Sequence, residues 1–311
     1  MVEITSRSVV VYGALRSGTT LLRLMLDAHP RLSCPGETDF IFDHLRPGAQ
    51  FSGYDMDALQ RERIYRNHEA LYPENPLPAP TPDAFIDRIA RDDSIAVLML
   101  HRNLHRVLEL YPQMRVIHML RDPRDVARSS IGMGWAGTVY HGVDHWIGTM
   151  QSWKAAQPRL PSEQVLQISY EQLIKAPEKT LEEISTFCGL PYDPGMLTYD
   201  ANSTYDKPDP SLVTQWRHKQ TPYEVGLVEH KIGALLTEAG YAPSGFPAQD
   251  PGLLERFSLG LRNRRATWAK RIKRYGLRDP LIVALCRRLG MPHYAAGAQR
   301  RIDEKLTRLL K

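Results

Sequence analysis

The chain has 311 residues, of which 42% are hydrophobic and 24% are charged, and its formal net charge is +5. A chain of this size and composition can bury a sizeable core as one large or two small domains, which argues against disorder throughout. We expect neither a signal peptide nor a membrane span, because the first residues lack the pattern of a signal peptide and no apolar run approaches ~20 residues. Its three cysteines, an odd number, agree with a reducing compartment.

The first predicted elements are a strand, a glycine loop and a helix. The run SVVVYG, residues 8–13, is β-branched and ends in glycine, and Leu21, Leu22 and Met25 then share one helical face. Pro30 ends that helix. Backbone N–H groups and the positive end of the helix dipole point at an anion in such a loop. This context favours a phosphate cradle over the alternative, a glycine turn that only packs the helix on the strand.

The loop itself, GALRSGTT over residues 13–20, has the two glycines of a P-loop. It carries Thr19 where such a loop carries its lysine. Arg16 lies inside the loop, and a guanidinium offers a bidentate fork to phosphate or sulfate oxygens. A nucleoside triphosphatase would need the lysine and a later metal-binding aspartate. The missing lysine therefore favours a ligand whose reacting group lies close to a single 5′-phosphate.

A second motif is VIHMLRDPRDVARSS, residues 116–130. It predicts a buried strand that ends at Leu120 and a helix that begins near Pro123. Arg121 and Ser129 are eight residues apart, so the arginine at the strand end and the hydroxyl two turns into the helix can meet at one anion. Taken alone, the segment is equally consistent with a solvated charge run that caps a helix.

Together, RSGTT and RDPRDVARSS resemble the motifs of the sulfotransferases that use 3′-phosphoadenosine 5′-phosphosulfate (PAPS). The resemblance implies that the loop holds the 5′-phosphosulfate, while Arg121 and Ser129 hold the 3′-phosphate of PAPS and of its product PAP. PAPS has no β- or γ-phosphate, so a P-loop lysine would have nothing to reach. The cofactor-binding residues of the loop are then Arg16, Ser17, Gly18, Thr19 and Thr20.

The resemblance continues over roughly residues 8–246. ISYEQLIKAPEKTLEEISTFCGLPYD is similar to the family's later strand, tyrosine-glutamate turn and helix, which implies that Tyr170 contacts the adenine. DKPDPSLVTQW is similar to the closing loop and makes Lys207 a candidate cofactor-binding residue. GLVEHKIGALLTEAGY is similar to the last core helix. The implied fold is α/β, with a P-loop-like, mostly parallel sheet and helices on both faces.

Three residues are candidates for catalysis. MLDAHPRLSCPGETDF is similar to a segment of tyrosylprotein sulfotransferases and bacterial relatives in which a glutamate is the general base, and the matching residue is Glu37. His101 falls on the histidine base of the cytosolic branch and competes with it. Arg16 and the loop amides would stabilise charge on the bridging oxygen. By residue count, Met99 stands where relatives carry a lysine that stabilises the bridging oxygen. Either Arg16 or Arg102 takes over that role, or the register of the comparison differs.

Two stretches are predicted to face the acceptor or to act as plain spacers. Between residues 46 and 93 the periodicity fades, and PENPLPAPTP, residues 73–82, holds five prolines, which marks a stiff surface segment. GMGWAGTVYHGVDHW, residues 132–146, has the glycines and aromatics of another loop at the acceptor side.

The expected reaction is direct in-line transfer of the sulfuryl group from PAPS to a hydroxyl, less often an amine. The acceptor is a small molecule, a lipid or a peptide that the sequence does not name. The alternatives are a P-loop nucleotide kinase, against which Thr19 argues, and a non-catalytic PAP-binding protein, which Met99 keeps open. No metal is expected, because the histidines and cysteines lack the spacing of a zinc site. No nucleic acid is expected either, because no aromatic stacking module is present.

The end of the chain has its own charge pattern. Residues 251–311 carry 16 Lys and Arg against 4 Asp and Glu, net +12, whereas the remainder carries 24 basic and 31 acidic side chains, net −7. We therefore predict a sulfotransferase domain over residues 1–250 and a basic, helical C-terminal extension over 251–311. Its apolar residues fit either peripheral contact with anionic membrane or a cap that docks its apolar stripe on the core. Because the N-terminal anchor of secretory tyrosylprotein sulfotransferases is not seen, a cytoplasmic location is expected, and it becomes membrane-peripheral if the first of these two alternatives holds.

Overall fold

The structure, a computed structural model, describes residues 2–48, 50–90, 92–199 and 209–310. At its centre lies a sheet of five strands: β1 (Ser8–Gly13), β2 (Leu32–Ser33), β3 (Ile95–Leu100), β4 (Arg115–Leu120) and β5 (Val165–Ser169). The strands lie in the spatial order β2-β3-β1-β4-β5, and every neighbouring pair is parallel. This confirms the predicted α/β fold with a mostly parallel sheet.

Helices surround this sheet in the described part of the chain. Those before β4 are α1 (Val2–Ser6), α2 (Thr19–Asp27), α3 (Phe40–Asp43), α4 (Met56–Arg61), α5 (Arg63–Glu69), α6 (Pro82–Ile89) and α7 (Leu104–Leu110). Those that follow β4 in the body are α8 (Pro123–Met133), α9 (Val139–Gly142), α10 (Asp144–Ala156), α11 (Tyr170–Lys175), α12 (Pro177–Phe187), α13 (Trp216–Lys219), α14 (Pro222–Ile232) and α15 (Leu235–Glu238). The C-terminal extension contains α16 (Leu253–Tyr275), α17 (Arg278–Arg288) and α18 (Ala296–Leu310).

The sheet separates two hydrophobic cores, because alternate side chains of a strand point to opposite faces. In β1, Val9 and Val11 face one core while Val10 and Tyr12 face the other, and all four are fully buried. Helices α2, α11 and α12 cover the first face, and α3, α6, α7, α8, α10 and α14 cover the second. The prediction of helices on both faces is therefore confirmed.

Four strands end at the same edge of the sheet. Tyr12 of β1 pairs with Leu100 of β3, and Leu120 of β4 pairs with Ser169 of β5. The residues that follow these strands therefore emerge side by side, at the carboxyl edge where open parallel sheets bind their ligands. The glycine loop follows β1 there. The first residues after β3, β4 and β5 are His101, Arg121 and Tyr170.

Between residues 46 and 93, apart from residues 49 and 91, which are not described, the structure contains three helices where the faded periodicity indicated loops. Helices α4, α5 and α6 are only six to eight residues long, too short for an apolar period to stand out. Side-chain caps begin two of them: Asp55 accepts from the N–H of Ala58 at 3.0 Å, and Thr81 accepts from that of Ala84 at 3.1 Å. The predicted last core helix is also broken, at Gly233, where φ is 60°.

The C-terminal extension is helical, as predicted. Helices α17 and α18 pack on each other around a small core of Val283, Ala295, Ala298 and Ile302. Within α16 only Leu259 is buried, so this helix does not dock an apolar stripe on the core. Across the described residues, no helix combines the length and the apolar character needed to cross a bilayer. The domain boundary near residue 250 stays a prediction.

Candidate active site

The glycine loop is built around left-handed backbone. The carbonyl of Ala14 accepts from the N–H of Ser17 at 3.1 Å, and Gly18, with φ 88°, leads into α2. A Cβ at Gly18 would lie 2.2 Å from the ring of Tyr170. Arg16 also has a positive φ of 70°, which non-glycine residues adopt only under strain and often at functional sites. The loop thus requires glycine at position 18 and holds Arg16 near the N-terminus of α2.

The two predicted motifs meet at Arg16. Its Nε donates to Oγ of Ser129, 113 residues later on α8, at 3.0 Å. Its carbonyl accepts from Nη1 of Arg121 at 2.9 Å. The guanidinium of Arg121 also donates to the carbonyl of Leu212 at 3.2 Å and lies 4.0 Å from the centre of the Tyr170 ring. The glycine loop and the second motif therefore form one cluster, linked through Arg16.

Two buried polar atoms of this cluster, Ser17 Oγ and Arg121 Nε, have no hydrogen-bond partner among the described residues. Buried polar groups in proteins are almost always paired. A hydroxyl and a guanidinium N–H are both donors that pair with phosphate oxygens. The N-terminus of α2 adds backbone N–H groups without an intrahelical partner. The cluster fits a phosphate-bearing ligand.

His101 faces the glycine loop. Its Nε2 lies 3.2 Å from Oγ1 of Thr19, the first residue of α2, and its Nδ1 lies 2.9 Å from Oδ2 of Asp39. The other oxygen of Asp39 accepts from the backbone N–H groups of His101, at 2.9 Å, and of Arg102, at 3.2 Å. Asp39 and His101 are both buried. One carboxylate thus fixes the turn after β3 and aims one imidazole nitrogen at the loop.

The surroundings of His101 favour its charged form. Burial acts to lower the pKa of His101, but its hydrogen bond with Asp39 and the charges of Asp39 and Glu37 outweigh burial and raise the pKa. Burial acts in turn to raise the pKa of Asp39, but the hydrogen bond and charge of His101 and the charge of Arg102 outweigh it and lower the pKa. Asp39 and His101 therefore form a buried ion pair beside the loop.

Glu37 and Met99 lie next to each other but in different environments. They form an isolated parallel β-bridge. The Glu37 side chain is exposed, and its charge still acts on His101. Met99 is only 1% exposed and packs into the core on the α2 side of the sheet. Met99 therefore cannot do the work of a lysine at the loop, and the side chain that this strand end presents there is His101.

Arg102 points toward acidic residues rather than toward the loop. Its Nε donates to Oδ1 of Asp43 at 2.7 Å, and its Nη2 lies 3.6 Å from Oε1 of Glu62. Glu62 also pairs with His44. Asp43, His44 and Glu62 lie close enough to share a metal ion, but the guanidinium of Arg102 already balances both carboxylates. Of the two arginines proposed to replace the family lysine, only Arg16 belongs to the loop cluster.

A cavity of about 330 Å³ opens beside His101. Leu15 of the loop and His145 of α10 form part of its wall, and Nε2 of His145 lies 3.0 Å from the carbonyl of Leu15. Trp135 meets the ring of His145 edge-on at 6.1 Å and lies 5.8 Å from the guanidinium of Arg16. The stretch of residues 132–146, predicted to face the acceptor, therefore borders both the cavity and the loop.

Of the remaining predicted site residues, three lie in or beside the glycine loop and one is not described. Thr19 and Thr20 form the start of α2, and Tyr170 is buried against Gly18 and Arg121. Lys207 lies outside the described residues. The binding roles assigned to these residues stay predictions. Sequence reasoning missed Asp39, and its position in GETDF offers no signal, because its role depends on contact with a strand about sixty residues later.

Comparison with known proteins extends these observations. A family model described as "Sulfotransferase family" matches residues 8–194. The match includes the glycine loop and the second motif, but it ends before the segments compared above with the closing loop and the last core helix, so those two resemblances stay predictions.

Two relatives and one solved structure are similar to this chain. An uncharacterized protein of Aquifex aeolicus is 28% identical over 216 residues, which is 63% of this chain and 27% of that protein. A putative protein-tyrosine sulfotransferase of Caenorhabditis briggsae is 29% identical over 204 residues, 61% of this chain and 68% of that protein. The sulfotransferase domain from the curacin biosynthetic pathway matches with a TM-score of 0.57 and 19% identity, over 76% of this chain and 98% of that domain. The chain thus spans only about a quarter of the Aquifex protein.

Proposed function

Since this chain belongs to the sulfotransferase family, we propose that it transfers the sulfuryl group of PAPS directly to a hydroxyl, or less often an amine, of an acceptor. The observation that carries the proposal is the cluster at Arg16, where the glycine loop meets the second motif. Ser17 and Arg121 each offer this cluster a buried donor atom without a partner among the described residues. A loop with Thr19 in place of the lysine suits a donor without β- and γ-phosphates.

The donor would lie along the carboxyl edge of the sheet. The loop amides at the N-terminus of α2, with Ser17 and Thr19, bind its 5′-phosphosulfate. Arg121 and Ser129 bind its 3′-phosphate, and Tyr170 lies beside them for the adenine. Two hydrogen bonds between Arg16 and the second motif support this arrangement, because they join both phosphate sites in one cluster: Arg16 donates to Ser129, and Arg121 donates to the carbonyl of Arg16. Bound PAPS supplies an activated sulfuryl group whose bridging oxygen becomes negative as the bond to sulfur breaks.

His101 is assigned the role of a cation rather than of a base. Asp39 favours its protonated form, and its Nε2 lies against Thr19 at the start of α2. A preorganised positive donor beside the leaving oxygen lowers the barrier, and such donors are typically worth about a hundredfold or more in rate. His101 would thus do the work of the lysine that Met99 cannot do. Arg16 adds a second positive charge at the loop.

Glu37 is assigned the role of general base. Its carboxylate is exposed and can take a proton from an incoming acceptor, and its backbone bridges to Met99, two residues before His101. The acceptor would enter the cavity of about 330 Å³ beside His101. That volume suits a single phenolic side chain or a small alcohol. Relatives named protein-tyrosine sulfotransferases favour a peptide or protein acceptor.

The donor is tested by thermal unfolding. A ligand that binds only the folded state raises Tm, so PAP should raise the Tm of this protein and ATP with Mg²⁺ should raise it far less. Equal shifts would contradict the choice of PAPS and revive the kinase alternative. Transfer of radiolabelled sulfate from PAPS to a tyrosine peptide or a simple phenol would exclude a non-catalytic PAP-binding protein.

Two arginines at opposite ends of β4 provide a matched pair of variants. Arg121→Ala should weaken PAP binding by about tenfold or more relative to adenosine 5′-phosphosulfate, because only PAP carries the 3′-phosphate and a charge-assisted hydrogen bond is lost. Arg115→Ala is the control, since Arg115 donates instead to the carbonyl of Phe187 at the amino end of the strand. Calorimetry measures both ligands. If Arg121→Ala lowers the affinity for both ligands equally, the assignment of Arg121 to the 3′-phosphate is wrong.

A further inference from the structure

We infer that the exposed leucine faces of α16 and α17, together with the exposed basic side chains of the same extension, bind anionic lipid membranes. Two leucines of α17 and the two residues that flank this helix recur at steps of four residues, which places them on one side of the helix. They are between 47% and 60% exposed: Leu277, Leu281, Leu285 and Leu289. Val283 points the other way, into the small core shared with α18. The helix therefore buries a narrow face and leaves its richest apolar face in solvent.

Helix α16 shows the same arrangement in its first half. Leu253, Leu254, Phe257 and Leu261 follow helical spacing and are between 47% and 87% exposed. Single exposed leucines are ordinary on protein surfaces, but contiguous apolar faces mark interaction sites. Helices α16 and α17, which follow each other in the extension, each carry a contiguous apolar face.

The apolar face of α16 is not what attaches this helix to the body. Asn263 accepts from the backbone N–H of Gly137 at 2.6 Å, and a Cβ at Gly137 would lie 2.5 Å from that of Ala266. Lys270 and Arg274 donate to backbone carbonyls in the last turn of α8. Small and polar residues, with the buried Leu259, thus hold α16 in place, which leaves Leu253, Leu254, Leu261 and Phe257 available to a partner.

The exposed charge of the extension is strongly one-sided. Among the side chains described in the extension, eleven exposed ones are basic and one exposed side chain, Glu304, is acidic. Asp279 and Asp303 are buried and pair with Arg301 and Arg66. The exposed basic residues are Arg256, Arg262, Arg264, Arg265, Lys273, Arg278, Arg287, Arg288, Arg300, Arg301 and Lys305.

This combination fits an anionic lipid surface better than it fits another protein. A symmetric dimer through this face would bring two strongly positive surfaces together, because a two-fold interface uses the same patch twice. Protein interfaces draw most of their binding energy from Trp, Tyr and Arg anchors, and leucine is under-represented among them. Interfacial helices, in contrast, bury leucine and phenylalanine between the headgroups while arginine and lysine contact anionic lipid.

Co-sedimentation of the full chain with vesicles tests this inference. The protein should sediment with vesicles of phosphatidylcholine and phosphatidylserine at low salt and far less with phosphatidylcholine alone. Raising the salt to about 0.5 M should release it, because the charge attraction is already screened within ~10 Å at 0.1 M. Sedimentation with neither kind of vesicle, or equal sedimentation with both, would overturn the inference.

Substitutions separate the apolar and the basic contributions. Leu281→Asn with Leu285→Asn should lower the partition coefficient at least tenfold, whereas Leu71→Asn, an equally exposed leucine on the body, should leave it unchanged. Arg287→Glu with Arg288→Glu should abolish the preference for phosphatidylserine. The increase in Tm caused by PAP should be the same in all variants, which shows that the body stays folded. Wild-type sedimentation of the leucine variant, or a dimer in solution that this variant dissociates, would refute lipid as the partner.

Discussion

Replacing Asp39 with asparagine should remove the positive charge from His101. Asparagine keeps an oxygen that can accept from the N–H groups of His101 and Arg102, so the turn after β3 can retain its form. The substitution removes only the negative charge of Asp39. Burial lowers the pKa of His101, and this charge opposes that effect. Removing an opposite charge at hydrogen-bond distance typically moves a pKa by about 1–3 units. The pKa of His101 in the Asp39→Asn variant should therefore fall by an amount in that range.

Isotope-labelled histidine NMR measures this change without a known acceptor. The Cε1 resonance of each histidine is followed against pH, and a His101→Asn variant assigns the signal. In the wild-type protein His101 should titrate above the ordinary histidine value of 6.5. Asp43→Asn is the control, because Asp43 contacts Arg102 rather than His101. If His101 titrates at the same pH in wild type and in Asp39→Asn, the imidazolium is not held by Asp39 and its assigned role as a cation fails.

The same ion pair gives stability a defined pH dependence. The raised pKa of His101 means that its contribution is complete below about 6.5 and is lost as pH rises through the folded value. The lowered pKa of Asp39 means that its contribution is present above about 3.8 and is lost as pH falls. Urea unfolding of wild type and Asp39→Asn should therefore differ most between these values. Because His101 can release its proton, the difference should stay below the ~3–5 kcal/mol of a buried pair broken on one side.

Three further variants test two residues of the site and Asp125, a buried residue of α8 whose Oδ1 accepts from the N–H of Trp216 at 2.7 Å. Gly18→Ala adds a Cβ 2.2 Å from a ring at φ 88°, so calorimetry should find PAP affinity reduced at least about tenfold, whereas Gly132→Ala, with open space around it, should bind normally. Glu37→Gln should cut turnover by about 10² and leave PAP affinity unchanged. At high pH, where His101 has lost its proton, Glu37→Gln should reduce turnover more than His101→Asn does. The reverse ranking would make His101 the base. Burial and a neighbouring carboxylate raise the pKa of Asp125 to about 6, and stability linked to its neutral form is lost as pH rises through that value. In urea unfolding, Asp125→Asn should therefore gain about 1 kcal/mol relative to wild type between pH 5 and pH 8, and a pH-independent difference would contradict this.

The sequence alone determined the features that depend on neighbouring residues. A β-branched run, a glycine loop and an apolar helical face within twenty residues specify a strand, an anion cradle and a helix, and the structure has them as β1, the loop and α2. Pro123 likewise marks the start of α8. These signals are local because backbone conformation, caps and the direction of a helix dipole are set within a few residues.

The tertiary structure decided which distant residues act together. Arg16 meets Ser129 because β1 pairs with β4, which brings the loop after one strand against the helix after the other. Asp39 meets His101 because the segment after β2 passes the end of β3, and no pattern near Asp39 marks it. Counting residues placed Met99 at the loop, but the alternation of the strand turns its side chain into the core.

The C-terminal extension shows the same division between local pattern and tertiary packing. Composition specified basic, amphipathic helices, because charge and apolar spacing are properties of the chain itself. Periodicity states which face of a helix is apolar, but it does not state what covers that face. The contacts of Asn263, Ala266 and Lys270 with the body turned the leucines of α16 outward, and only packing between residues more than a hundred positions apart could determine that orientation.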